Sequence, residues 1–164
     1  MATIVAGIIN TQTGKVFDTI TDPSDKTRLF LKTRDELNTQ HGKNAFMVFE
    51  FNSMGGQGNL DYVRRNMQSN DSTLLNELNL LKARYKVETI ETALLHTQKA
   101  LDLIEQTREE CLALYDSNNS TKREIVENAF ADDVQEKMDE ISSLNQHHAQ
   151  QRRKVAQLEN SIQD

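Results

Sequence analysis

The residues able to do chemistry in this chain are few and scattered. Two of its four histidines, His147 and His148, are adjacent, with no second histidine or cysteine at metal-ligand spacing. His41 and His96 have no evident partner. Cys111 is the only cysteine, so no intrachain disulfide can form, and a reducing compartment suits the chain. Carboxylates are plentiful, but they fall on helix faces and read as solvated surface. No spacing suggests a Ser-His-Asp or Cys-His arrangement. The expectation is a protein that is not an enzyme and carries no cofactor and no metal.

One loop stands apart. Met54-Gly55-Gly56-Gln57-Gly58 falls between an apolar run and a short helical pattern. Such a place suits a phosphate cradle, but the loop lacks the Lys-Ser/Thr that ends a P-loop. Gly55-Gly56-Gln57 resembles the Gly-Gly-Gln motif of class I peptide chain release factors and related peptidyl-tRNA hydrolases. That resemblance implies a loop whose glutamine backbone helps water attack an ester bond. The family usually continues Gly-Gly-Gln-x-Val-Asn within a strongly basic domain. This chain continues Gly58-Asn59-Leu60 in a nearly neutral region, and a glycine-rich connection is the favoured reading.

Charged and apolar side chains offer the other candidates, and both lie on one long stretch. From Asp71 to Ile162 there is no proline and no glycine, and good helix formers fill the sequence. It reads as two helices broken at Ser117–Ser120, each arm on the order of 65 Å long. A heptad frame puts Leu80, Val87, Leu94, Leu101, Arg108 and Tyr115 at a, and Ala83, Ile90, Thr97, Ile104 and Cys111 at d. In the second arm Val134, Ile141, His148, Val155 and Ile162 take a, while Phe130, Lys137, Leu144, Gln151 and Leu158 take d. Folding the arms about Asn119 brings together residues whose numbers sum to 238, each a against a d. Thr121-Lys122-Arg123-Glu124 fits a capping box for the second arm. His148 and Gln151 then form a polar layer that fixes register.

Leu74, Leu78, Leu81 and Tyr85 also recur at helical spacing, but at b and f, away from that seam. Something else must cover them, and a cover shared with a neighbouring subunit is expected. Lys82, Arg84 and Lys86 lie opposite Arg152, Arg153 and Lys154 in the folded hairpin, with Arg64 and Arg65 nearby. Toward the tip Asp102, Glu105, Glu109 and Glu110 meet Glu127, Asp132, Asp133 and Glu136. Basic collars facing acidic tips suggest assembly between copies.

Residues 1–70 read as a small α+β head. Thr3–Ile9 and Lys15–Ile20 form a β-hairpin about a turn ending at Gly14, with Val16 and Ile20 on one face. Arg28–Lys32 reads as a third short strand. Thr33-Arg34-Asp35-Glu36 opens a short helix that stops at Gly42. Asn44–Phe51 is the most apolar run and the expected central strand, and Asn59 caps a helix carrying Leu60, Tyr62, Val63 and Met67.

The expected fold class is therefore α+β: a small N-terminal β-rich α+β head (1–70) and a long antiparallel helical hairpin, a coiled-coil stalk (71–164), turning near 117–120. With 37% hydrophobic and 5% aromatic residues, an elongated form with narrow seams fits better than a compact globule. The net charge of −6 argues against a general nucleic-acid binder. No signal peptide and no run of about 18 apolar residues is present. The expectation is a soluble cytoplasmic protein, or one within a particle assembled there, whose partners are proteins. It would self-associate or join a larger assembly such as a virion or secretion machine. A coiled-coil adaptor that binds one partner helix is one alternative, and a translation-related factor like the peptidyl-tRNA hydrolases, using Gly55-Gly56-Gln57, is the other.

Overall fold

The computed structural model describes residues 3–51, 58–68 and 72–163. The chain is α+β, with a three-stranded antiparallel sheet followed by two long helices. It divides into two compact units, residues 1–89 with 151–164, and residues 90–150.

In the first unit β1 (Ala6–Asn10) lies between β2 (Val16–Ile20) and β3 (Phe46–Glu50). The β1–β2 turn closes as expected. Asn10 Oδ1 accepts from the Gln12 and Thr13 N–H groups, and Gly14 takes φ +73°. The pairing then slips between Ile8 and Ile9, a β-bulge that leaves Phe17 as the extra residue. Val16 therefore packs on one face of the sheet and Ile20 on the other, not together as period-2 alternation requires.

Arg28–Lys32 is helical rather than a strand. Its run of Arg-Leu-Phe-Leu-Lys fits either period, and what precedes it decides. Asp22 accepts the Ser24 N–H, Pro23 presets the first turn, and α1 (Lys26–Lys32) follows. The helix runs on through a wide turn (Thr33–Leu37) into α2 (Asn38–His41). Thr33 sits inside it and donates to the Leu29 carbonyl, so no capping box forms there. Leu29, Thr33 and Leu37, four apart, are its buried face. Gly42 ends it at φ +105°, as expected.

β3 is an edge strand, not the central one. It can still be apolar on both faces because helices cover both. Phe46 and Val48 pack with Ala6, Ile8, Ile20, Leu29 and Leu37 against α1. Met47, Phe49 and Phe51 pack with Ile9 against α3 (Leu60–Arg65) and α4 (Asn76–Leu112). Its open edge is closed by two side chains. The Asn38 amide accepts from the Phe46 N–H and donates to the Phe46 carbonyl, at 2.9 and 3.1 Å. The Asn59 amide accepts from the Glu50 N–H and donates to the Val48 carbonyl, both at 2.8 Å. Asn59 therefore binds the sheet and makes no side-chain cap to α3.

Helices α4 and α5 (Ser120–Gln163) form an antiparallel hairpin. In the first unit Arg84 reaches Glu159 at 2.9 Å, and in the second His148 reaches Glu91 at 2.9 Å. The second pair sums to 239, one residue from the expected register. Leu80, Ala83 and Leu101 are buried, and the other seam positions are half-buried except Ile162. Ile162 would face Asn76, the first residue of α4, where the seam runs out. The turn is wider than expected. Helix α4 stops at Leu112, and Arg123 donates back to the Leu112 and Tyr115 carbonyls. Ser120 already belongs to α5, so Thr121 lies within the helix and not at its cap.

Candidate functional site

The apolar stripe on α4 is covered by the chain's own head. Leu78 is 0% exposed and Tyr85 8%, in one cluster with Phe49, Phe51, Leu60 and Val63. Leu81 and the neighbouring Leu75 pack against its edge, and Leu74 is half-buried. The rings of Phe51 and Tyr85 lie 5.2 Å apart. Gly14 approaches the Leu74 carbonyl so closely that a Cβ there would collide with it. This corrects the expectation of a shared cover. The head has few aromatics, but the sheet aims two of them and α3 at this stripe. Leu78 and Tyr85 need no second copy.

The cations behave differently. Arg64, at the end of α3, donates to Asn79 on α4 at 3.2 Å and meets Asp61 at 3.3 Å. Lys82 and Lys86 follow Asn79 along α4 at helical spacing, one and two turns on. Lys154 comes from α5. Burial lowers the Lys82 pKa from its ordinary value, and the charges of Lys86, Arg64 and Lys154 lower it further, with Asp61 acting the other way. None of Lys82, Lys86 and Lys154 is in an ion pair with a described residue. Elements α3, α4 and α5 thus each bring a cation within electrostatic reach of Lys82.

Three members of the expected set are placed otherwise. Arg84 points to Glu159 and so is neutralised. Arg152 and Arg153 are exposed on the turn of α5 that precedes Lys154. Asn79 and Asp61, which hold Arg64 over α4, were not singled out by the sequence, because α3 and α4 meet only through the fold.

The remaining candidates among the described residues show no reactive arrangement. Gly55-Gly56-Gln57 lies outside the described residues. A groove of about 500 Å³ beside β3 is lined by Phe30, Asn38, Lys43, Asn59 and Tyr62, and both amides are already committed to the strand. A second, of about 390 Å³, is lined by Ile4, Leu81, Tyr85 and the Arg84–Glu159 pair. Among the described residues no three His, Cys, Asp or Glu side chains are grouped to hold a metal ion. No described helix is long and apolar enough to cross a membrane. Comparisons of the chain with protein-family models, curated proteins and solved structures return no match.

Proposed function

We propose that this chain is a non-enzymatic structural or assembly subunit. Its head anchors the base of the hairpin. The hairpin is a two-stranded antiparallel coiled coil that self-associates or docks into a larger particle. One observation carries this reading. In residues 90–150 Leu101 and Leu112 are the only buried hydrophobic residues. A unit with so little core is marginal as a free-standing fold. It also presents large apolar side chains outside the seam, with Leu103 64% and Leu95 55% exposed on α4 and Met138 51% exposed on α5. Such surface is what a partner protein covers.

The test is light scattering on the purified chain over a range of concentrations. The expected result is a mass above the monomer. A variant with Leu95→Glu, Leu103→Glu and Met138→Glu should keep its helix content by circular dichroism and lose mass. A chain that stays monomeric at every concentration would remove self-association.

A further inference from the structure

Residues 1–89 and 151–164 carry fourteen Lys/Arg against twelve Asp/Glu, a net charge of +2. Residues 90–150 carry five against thirteen, a net charge of −8. Within each unit the charge is concentrated. Lys82, Lys86, Arg64 and Lys154 converge on the first, as described. On the second, Asp132, Glu136 and Asp139 share one face of α5, at i, i+4 and i+7, around a shallow depression. Asp132 and Glu136 are exposed and in no ion pair among the described residues, and Asp139 meets only the neutral amide of Gln135. Lys137 is spent on Glu140, beside the stripe.

We propose that the basic cluster of the first unit is a docking site for the Asp132–Glu136–Asp139 stripe of a second copy of this chain. This rests on the assembly reading and names the partner and the two surfaces. Like charges at i and i+4 repel on each helix, Lys82 with Lys86 and Asp132 with Glu136, and an opposite stripe relieves both at once. The overall charge of −6 disfavours a nucleic-acid partner, whereas the chain carries its own acidic complement. The contact joins two different surfaces, so it is heterologous and propagates into a ring or a filament.

Salt and charge reversal test it. The Debye length falls from about 30 Å at 0.01 M to about 3 Å at 1 M salt, so the contact should form at low salt and dissolve at high salt. Sedimentation velocity should show the wild-type chain shifting to monomer as salt is raised. Chain one carries Lys82→Glu, Lys86→Glu and Lys154→Glu. Chain two carries Asp132→Lys, Glu136→Lys and Asp139→Lys. Each alone should be monomeric at low salt, and an equimolar mixture should restore the larger species. The neutral versions, Lys→Gln, Asp→Asn and Glu→Gln at the same positions, should also be monomeric, and they keep the test open if a reversed chain fails to fold. Association that survives salt and both sets of substitutions overturns the proposal and leaves the assembly reading intact. A mixture that stays monomeric overturns it too. A wild-type chain that is monomeric at low salt yet binds a single-stranded DNA oligonucleotide through Lys82, Lys86 and Lys154 overturns it in favour of a nucleic acid. A chain that is monomeric under all conditions and binds neither removes both readings of self-association.

Discussion

Asn38 and Asn59 do for β3 what a fourth strand would do. Each side-chain amide donates once and accepts once along the open edge, so that edge offers little to a stray strand. Replacing Asn59 with Ala should cost about 2 kcal/mol, since it leaves a part-buried N–H and carbonyl without partners. Chemical denaturation measures that, and dye binding to aggregates should rise with it. Lys82 acts in the opposite sense. Its lowered pKa means that folding places the ammonium where charge is unwelcome. The destabilising contribution is fully present below the folded pKa and is relieved as pH rises through it. Lys82→Met should therefore melt higher than wild type at neutral pH while losing low-salt self-association. That pair of outcomes, a firmer fold with a weaker contact, would mark Lys82 as serving the proposed contact. A melting temperature that falls would show that Lys82 is merely structural. Gln151 is a smaller case. Its Oε1 is buried in the seam with no hydrogen-bond partner among the described residues, so Gln151→Leu should stabilise the hairpin by about 1 kcal/mol.

At the scale of elements, two glycines separate local conformation from packing. Gly14 and Gly42 both have positive φ, but a Cβ at Gly14 meets the Leu74 backbone and one at Gly42 meets nothing within 4 Å. Gly42→Ala should cost about 1 kcal/mol from conformation alone. Gly14→Ala must also displace the β1–β2 turn from the chain leading into α4, so it should cost clearly more. Denaturant titration of the two variants side by side decides this, and equal costs would mean the turn gives way easily. Asp18 ties β2 to α1 in a comparable way. Burial raises its pKa, but hydrogen bonds from Arg28, the Thr19 N–H and Lys32 outweigh it and hold the carboxyl below its ordinary value. A depressed carboxylate pKa stabilises the fold above the unfolded value of 3.8 and loses that contribution as pH falls through the folded one. Asp18→Asn should cost about 1 kcal/mol at neutral pH and progressively less below about pH 4.

For the whole molecule, the decisive contact is between the sheet and α4. A sheet of three short strands with helices on one face only would leave Phe49 and Phe51 bare. The base of the hairpin supplies the second layer, so the head and the start of α4 belong to one unit. Leu78→Asp should then cost more than about 3 kcal/mol, because it buries an unpaired charge at the centre of that layer. The near-ultraviolet signal of Tyr85 should be lost together with the head. Retention of a folded head with a changed mass would instead place a neighbouring copy on the stripe.

The sequence by itself determined the hairpin. Periodicity, the absence of proline and glycine, and helix propensity are local properties, and register follows from matching one stripe to the other. It therefore placed Glu91 near His148, one residue from the expected register, and left the turn too short and the second arm's cap misplaced. It also determined the β1–β2 hairpin and the stop at Gly42, where a few neighbouring residues set the backbone. The tertiary structure decided the rest. Arg28–Lys32 fits both periods, so the Asp22-Pro23 turn and the burial of Leu29 and Leu37 made it helical. The bulge at Phe17 and the amide closure of β3 depend on how neighbouring elements pack, not on a local pattern. So do the cover over Leu78 and the choice of which cations meet. The sequence grouped Arg84 with Lys82 and Lys86, but neighbours in sequence point to different sides of a helix, and Glu159 stands on the side that Arg84 faces. Charge counts are legible in a sequence, whereas which charges stay unpaired is settled only when three elements pack together.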